Sequence, residues 1–99
     1  MSSYRRWEDF LDERLQDPIS AIGYLNACLE DEEPEVFLLA LRDVARARGG
    51  LEKLAESASL NPEYVVRMLS EVGNPELRTL ETLLDALGFR LAIKLKEAS

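Results

Sequence analysis

The side chains best able to do chemistry in this 99-residue chain are hydrogen-bonding groups on and beside one short stretch, Asn61 to Ser70. Arg67 carries a planar guanidinium, which pairs bidentately with the acceptor edge of guanine. Tyr64 and Asn61 are placed to reach base edges or phosphate. Lys53, Ser70, Asn74, Arg78 and Thr79 offer donors of the kind that phosphate oxygens accept. Glu63 has the wrong charge for phosphate and suits a donor such as the cytosine amino group. Other chemistries are poorly served. There is no histidine and one cysteine, Cys28. That removes the Ser/His and Cys/His nucleophile pairs and leaves a transition metal without ligands. The acidic run Glu30-Asp31-Glu32-Glu33 reads as a solvated helix end, and Gly49-Gly50 as a helix break and not a phosphate loop. The chain is expected not to be an enzyme and to need no cofactor or metal.

The elements that must position these groups are legible in the spacing. Leu51, Leu54, Ala55 and Ala58 recur at three and four, which predicts a short helix. Leu60 plugs a turn. Asn61 is a good N-cap and Pro62 fits the first helical position, where no N–H is needed. Val65, Met68 and Leu69 then face inward. Two short helices joined by a tight turn form the helix-turn-helix unit.

Upstream, Tyr4 to Gln16 predicts an amphipathic helix with Trp7, Phe10, Leu11 and Leu15 along one stripe. Three of the chain's seven aromatics lie there. Such a stripe either packs on its own domain or anchors a partner protein. Asp17-Pro18 starts a second helix to about Leu29, with Ile19, Ile22, Leu25 and Leu29 on one side. Pro34 to Arg48 is the strongest helical pattern, ended by Gly49 as a left-handed cap. Downstream, Asn74-Pro75 is expected to start a helix bearing Leu77, Leu80, Leu83, Leu84 and Leu87, ended by Gly88.

Then the period changes. Phe89, Leu91, Ile93 and Leu95 alternate with Arg90, Ala92, Lys94 and Lys96, the period of a half-buried strand. A lone strand needs a hydrogen-bonding partner. The expectation is pairing with the same strand of a second copy, in a homodimer with Phe89, Leu91, Ile93 and Leu95 at its interface. A frayed tail is the alternative.

Composition fits one domain of ordinary core size. Hydrophobic residues make up 46% of the chain and the net charge is −7. Residues 1–33 hold nine acids and three arginines; residues 34–99 are nearly balanced. The acidity argues against promiscuous nucleic-acid binding but leaves room for a local basic face. We read 1–33 as an acidic N-terminal helical extension, a toxin-binding or dimer-packing segment, and 34–99 as the helix-turn-helix DNA-binding domain with its terminal strand. No signal-like h-region or apolar run of membrane-spanning length occurs, so a cytoplasmic protein without membrane contact is expected.

A longer helix, a helix pair and a further apolar helix make the bundle used by small repressors, with the second helix of the pair free to enter the major groove. Dimerisation through the tail would set two such helices roughly 34 Å apart, one DNA turn. The stretch YLNACLEDEEPEVFLLALRDVARARGG, then LAES, LS, GNP and LDALGFRL, resembles the helix-turn-helix antidote proteins of addiction modules, the Xre-like, HigA-type antitoxins often carried on prophages. The resemblance spans about residues 18 to 95. It implies a lambda-repressor-like, mainly α bundle. It also implies an antitoxin that binds a RelE/ParE-like toxin and represses its own operon by binding double-stranded operator DNA. On that resemblance, Asn61 and residues 63–70 match the recognition helix, Arg67 its basic position, and Thr79 the threonine after the GNP loop. The chain departs from the family at three places: Ser59 stands where glycine is usual, Pro62 where a base is common and Val66 where tyrosine is usual. The acidic N-terminal third is the expected face for a basic toxin, with Tyr4, Trp7, Phe10, Leu11 and Leu15 as contacts. The alternatives are a prophage transcriptional regulator and a protein-interaction module without a toxin partner.

Overall fold

A computed structural model describes residues 3–70 and 73–96, and among their side chains omits those of residues 3–6 and 8. Six helices follow one another: α1 (Ser3–Leu15), α2 (Pro18–Leu29), α3 (Pro34–Ala47), α4 (Leu51–Ala58), α5 (Pro62–Met68) and α6 (Leu77–Ala86). α3 is the central element. It packs against α1, α2 and α4, and α4 packs in turn against α5 and α6.

Local chemistry explains most of these boundaries. The Asp17 carboxylate accepts from the backbone N–H of Ser20 at 3.0 Å, and Pro18 opens α2. α3 ends as its glycines demand. Gly49 takes φ 121° and Gly50 N–H donates to the Ala45 carbonyl at 2.8 Å, the long bond of a Schellman cap. α6 ends the same way. Gly88 at φ 88° lets Phe89 N–H reach the Leu84 carbonyl at 2.8 Å.

One core runs through all six helices. Leu11 and Leu15 of α1, Ala21 and Leu25 of α2, and Phe37, Leu38, Leu41 and Val44 of α3 join Leu54, Val65, Leu69, Leu83 and Leu84. Each fully buried leucine or valine here contributes on the order of 2 kcal/mol of burial. Among the described residues, the first 33 positions therefore supply four buried side chains to the same core as the helix-turn-helix pair, with Tyr24 and Cys28 packed against it.

Two expectations are corrected. Asn74-Pro75 does not open α6. Residues 73–76 run on as irregular chain and Glu76 is the N-cap, at φ −69° and ψ 156°. The C-terminal segment is not a strand: the fold is helical, and among the described residues no β-ladder forms. Alternation at period two records which side chains share a face; a strand also needs a neighbour to accept its backbone bonds. Phe89 packs half-buried on the core, whereas Leu91, Ile93 and Leu95 lie exposed along residues 90–96. A C-terminal dimerising β-strand is thereby withdrawn from the fold, while its mainly helical bundle stands.

Candidate functional site

The helix pair is built by three local devices. α4 buries Leu54 and Ala55, and its last turn closes on Ser59 in the left-handed region, at φ 57° and ψ 41°. That conformation sends Leu60 N–H back to the Ala55 carbonyl at 2.9 Å and turns the chain sharply. Asn61 then caps α5. Its side-chain oxygen accepts from Glu63 N–H at 2.8 Å and Tyr64 N–H at 3.2 Å. α5 is pinned inward by Val65 and Leu69, both wholly buried.

α5 is also tied to α6. The Tyr64 hydroxyl lies 3.1 Å from the Thr79 hydroxyl. Ser70 Oγ donates to the Arg67 carbonyl at 2.7 Å, closing the end of α5. Past it, the backbone of Gly73 runs so close that a Cβ there would overlap the Met68 carbonyl.

These bonds divide the eight polar residues singled out above. Tyr64, Ser70 and Thr79 are half-buried and engaged in bonds within the domain. Asn61 is exposed but its oxygen is occupied as a cap. Lys53, Arg67, Asn74 and Arg78 are exposed. Arg67 stands on the outer face of α5 with Glu63, opposite Val65 and Leu69, and the exposed Val66 lies at the edge of that face. Exposed bases are accompanied by exposed acids: Glu63 on α5 itself, Glu52 and Glu56 on α4, and Glu76 at the start of α6.

The α1 stripe is divided too. Leu11 and Leu15 are buried in the core. Trp7 and Phe10 are 57% and 52% exposed, their ring centroids 6.0 Å apart, and the Arg14 guanidinium sits 5.7 Å from the Phe10 ring centre. The Tyr4 side chain lies outside the described ones. At the tail, the Arg48 guanidinium lies 5.2 Å from the Phe89 ring centre and donates to the Leu87 carbonyl at 3.1 Å.

Sequence reasoning missed a polar chain that joins the first three helices. The Tyr24 hydroxyl donates to the Asp43 carboxylate at 2.8 Å. Arg46 reaches Asp43 at 3.4 Å and Asp12 of α1 at 3.1 Å. Burial of Tyr24, then its bond to Asp43, push the phenol well above its usual range. Burial, with Asp43 and Asp31 nearby, likewise raises the Cys28 thiol. Asp43 is 19 residues from Tyr24, and no local pattern pairs them.

Among the described residues no helix is long and apolar enough to cross a membrane. No solved structure matches the chain. A protein of Drosophila melanogaster named as a mitochondrial cysteine desulfurase is 36% identical over 80 residues. The match takes in 66% of this chain but 17% of that protein. An uncharacterised protein of Haemophilus influenzae is 34% identical over 71 residues, 72% of each chain. The model of a family described as probable addiction module antidote proteins matches residues 8–95, almost the whole chain. This protein, with its capped helix pair set on a three-helix base, belongs to that family of addiction module antidotes.

Proposed function

We propose that the chain is the antitoxin of a type II toxin–antitoxin module, that it neutralises a RelE/ParE-like toxin by direct contact, and that it represses its own operon through α4 and α5. The observation that carries the DNA half is the outer face of α5. It projects an exposed Arg67 from a helix whose start is capped by Asn61 and whose inner face is locked by Val65 and Leu69. In this reading Arg67 contacts a base, while Lys53, Asn74 and Arg78 contact phosphates. Asn61, Tyr64, Ser70 and Thr79 add lesser contacts and hold the helix at its angle. The reading places the protein in the cytoplasm, gives it no catalytic step, and makes it a homodimer. Its copies would meet side chain to side chain through Leu91, Ile93 and Leu95 beside Phe89.

The test is a gel shift with the DNA upstream of the protein's own reading frame, in a salt series. Arg67→Ala is expected to cost about 1–3 kcal/mol of affinity, while Lys53→Ala flattens the log-affinity against log-salt slope by about one. Unchanged affinity in Arg67→Ala at physiological salt would remove Arg67 from the interface.

The toxin half rests on Trp7 and Phe10. Two large aromatics held exposed side by side in the acidic N-terminal third are suited to anchor a basic partner. Because Leu11 and Leu15 belong to the core, deleting α1 would confound binding with folding. The double substitution Trp7→Ala, Phe10→Ala leaves the core intact. It is expected to lose the toxin in a pull-down from co-expression with the neighbouring small basic protein. A complex retained at wild-type yield would remove α1 from the toxin contact.

A further inference from the structure

Val66 is 42% exposed on α5. Among the described residues of α4, the turn and α5 it is the one large apolar side chain so exposed. A β-branched residue lowers helix propensity, and an exposed one recovers little by burial. Its neighbour Val65 already fills the core side at zero exposure. On a helix, positions 63, 66, 67 and 70 fall on one face. That face therefore offers a carboxylate, a pair of methyl groups and a guanidinium side by side, with Glu63, Val66 and Arg67 all exposed. In the major groove, the base feature that answers an apolar side chain is the C5 methyl of thymine.

We propose that Val66 reads a thymine methyl next to the base contacted by Arg67, so that α5 selects its site partly by an apolar contact. The inference rests on the DNA reading above and narrows it to a chemical class of site. A thymine must lie within one base step of the Arg67 contact, and its methyl group, not its pairing edge, is what is recognised.

Substituting deoxyuridine for thymidine deletes that methyl and leaves every hydrogen-bonding group in place. The full chain is first used to select its tightest duplex from a random pool, and the duplex is then remade with deoxyuridine at each thymine in turn. One position is expected to lose about fourfold in affinity, the worth of one buried methyl-sized group. Val66→Ala should lose a similar factor on the thymine duplex and nothing further on the deoxyuridine one, the non-additive signature of a direct contact. The variant should stay folded, because alanine is the better helix former at an exposed site. Wild type and Val66→Ala losing affinity equally on deoxyuridine, or no position responding at all, overturns the methyl contact and leaves the DNA reading standing. A pool that yields no bound duplex overturns both.

Discussion

In α1, α2 and α3 the helices are fastened by side chains that cross between them. Tyr24 of α2 bonds Asp43 of α3, and Arg46 of α3 reaches Asp12 of α1. In α4, α5 and α6 the fastening is backbone shape. Ser59 turns left-handed, Gly73 passes against the end of α5, and Gly88 closes α6; among the described residues, the side-chain bond between these helices is Tyr64 to Thr79, while Asn61 and Ser70 bond within α5 and Arg48 holds the Leu87 carbonyl from the end of α3. The difference follows from helix length. Long helices with polar edges can be cross-linked at a distance. The seven-residue α5, with Glu63, Val66 and Arg67 exposed, has few side chains left for its own retention, and turns at its two ends fix its angle. It follows that substitutions in the second half act through sterics and backbone strain, and those in the first through polar bonds and pH.

The sharpest way to break this contrast is Gly73→Ala. A Cβ at Gly73 would run into the backbone carbonyls of Met68 and Arg67, which cannot step aside as a flexible side chain can. The cost is steric and is expected to be about 2 kcal/mol, within the range of forced overpacking. Chemical denaturation measures it. A loss under about 0.5 kcal/mol, the ordinary scatter of surface substitutions, would show that the backbone relaxes freely there and that the second half is not held by its turns.

The first half should answer to Tyr24→Phe instead. Deleting one half-buried hydroxyl bond costs about 1 kcal/mol near neutral pH. The pH dependence has a definite sign. The phenol is held above its usual range in the folded chain, so folding favours its protonated form. That contribution is complete below the unfolded value near 10 and is lost as pH rises beyond it. Wild type should therefore lose stability above pH 10 more steeply than Tyr24→Phe. Parallel stability curves for the two proteins between pH 8 and 11 would show that the bond to Asp43 does not carry this half.

The same division governs what could be read from sequence. Helix spans came through, because apolar spacing and caps such as Asp17, Asn61 and Gly88 act over a few residues. Three limits appeared. The start of α6 was misjudged because Asn74-Pro75 has the chemistry of a helix start. There the backbone is instead held by the Gly73 N–H bond to the Ser70 carbonyl and stays irregular to Glu76. The tail was misread because alternation at 89–96 specifies faces and not a hydrogen-bonding partner. The Tyr24–Asp43–Arg46–Asp12 chain was invisible because its members meet only through packing of α1, α2 and α3. At the candidate site, position along α5 was legible, but occupancy was not. Nothing local revealed that Tyr64 and Thr79 lie against each other, or that Val66 would be the apolar member of the outer face.

Ser59 gives the smallest effect and the one with the opposite sign. A serine at φ 57° carries a left-handed penalty of order 1 kcal/mol that glycine avoids. Glycine in turn gives up more chain entropy on folding, which returns part of that gain. Ser59→Gly is therefore expected to stabilise the protein by about 0.5 kcal/mol, read as a small rise in denaturant midpoint at constant slope. The angle between α4 and α5 should be unchanged, because the Leu60 bond to the Ala55 carbonyl uses backbone atoms alone. DNA affinity, if α5 is the reading helix, should then stay level while stability rises. A stabilised variant with weakened binding would mean that the serine hydroxyl itself contacts the nucleic acid. The turn would then belong to the interface and not only to its support.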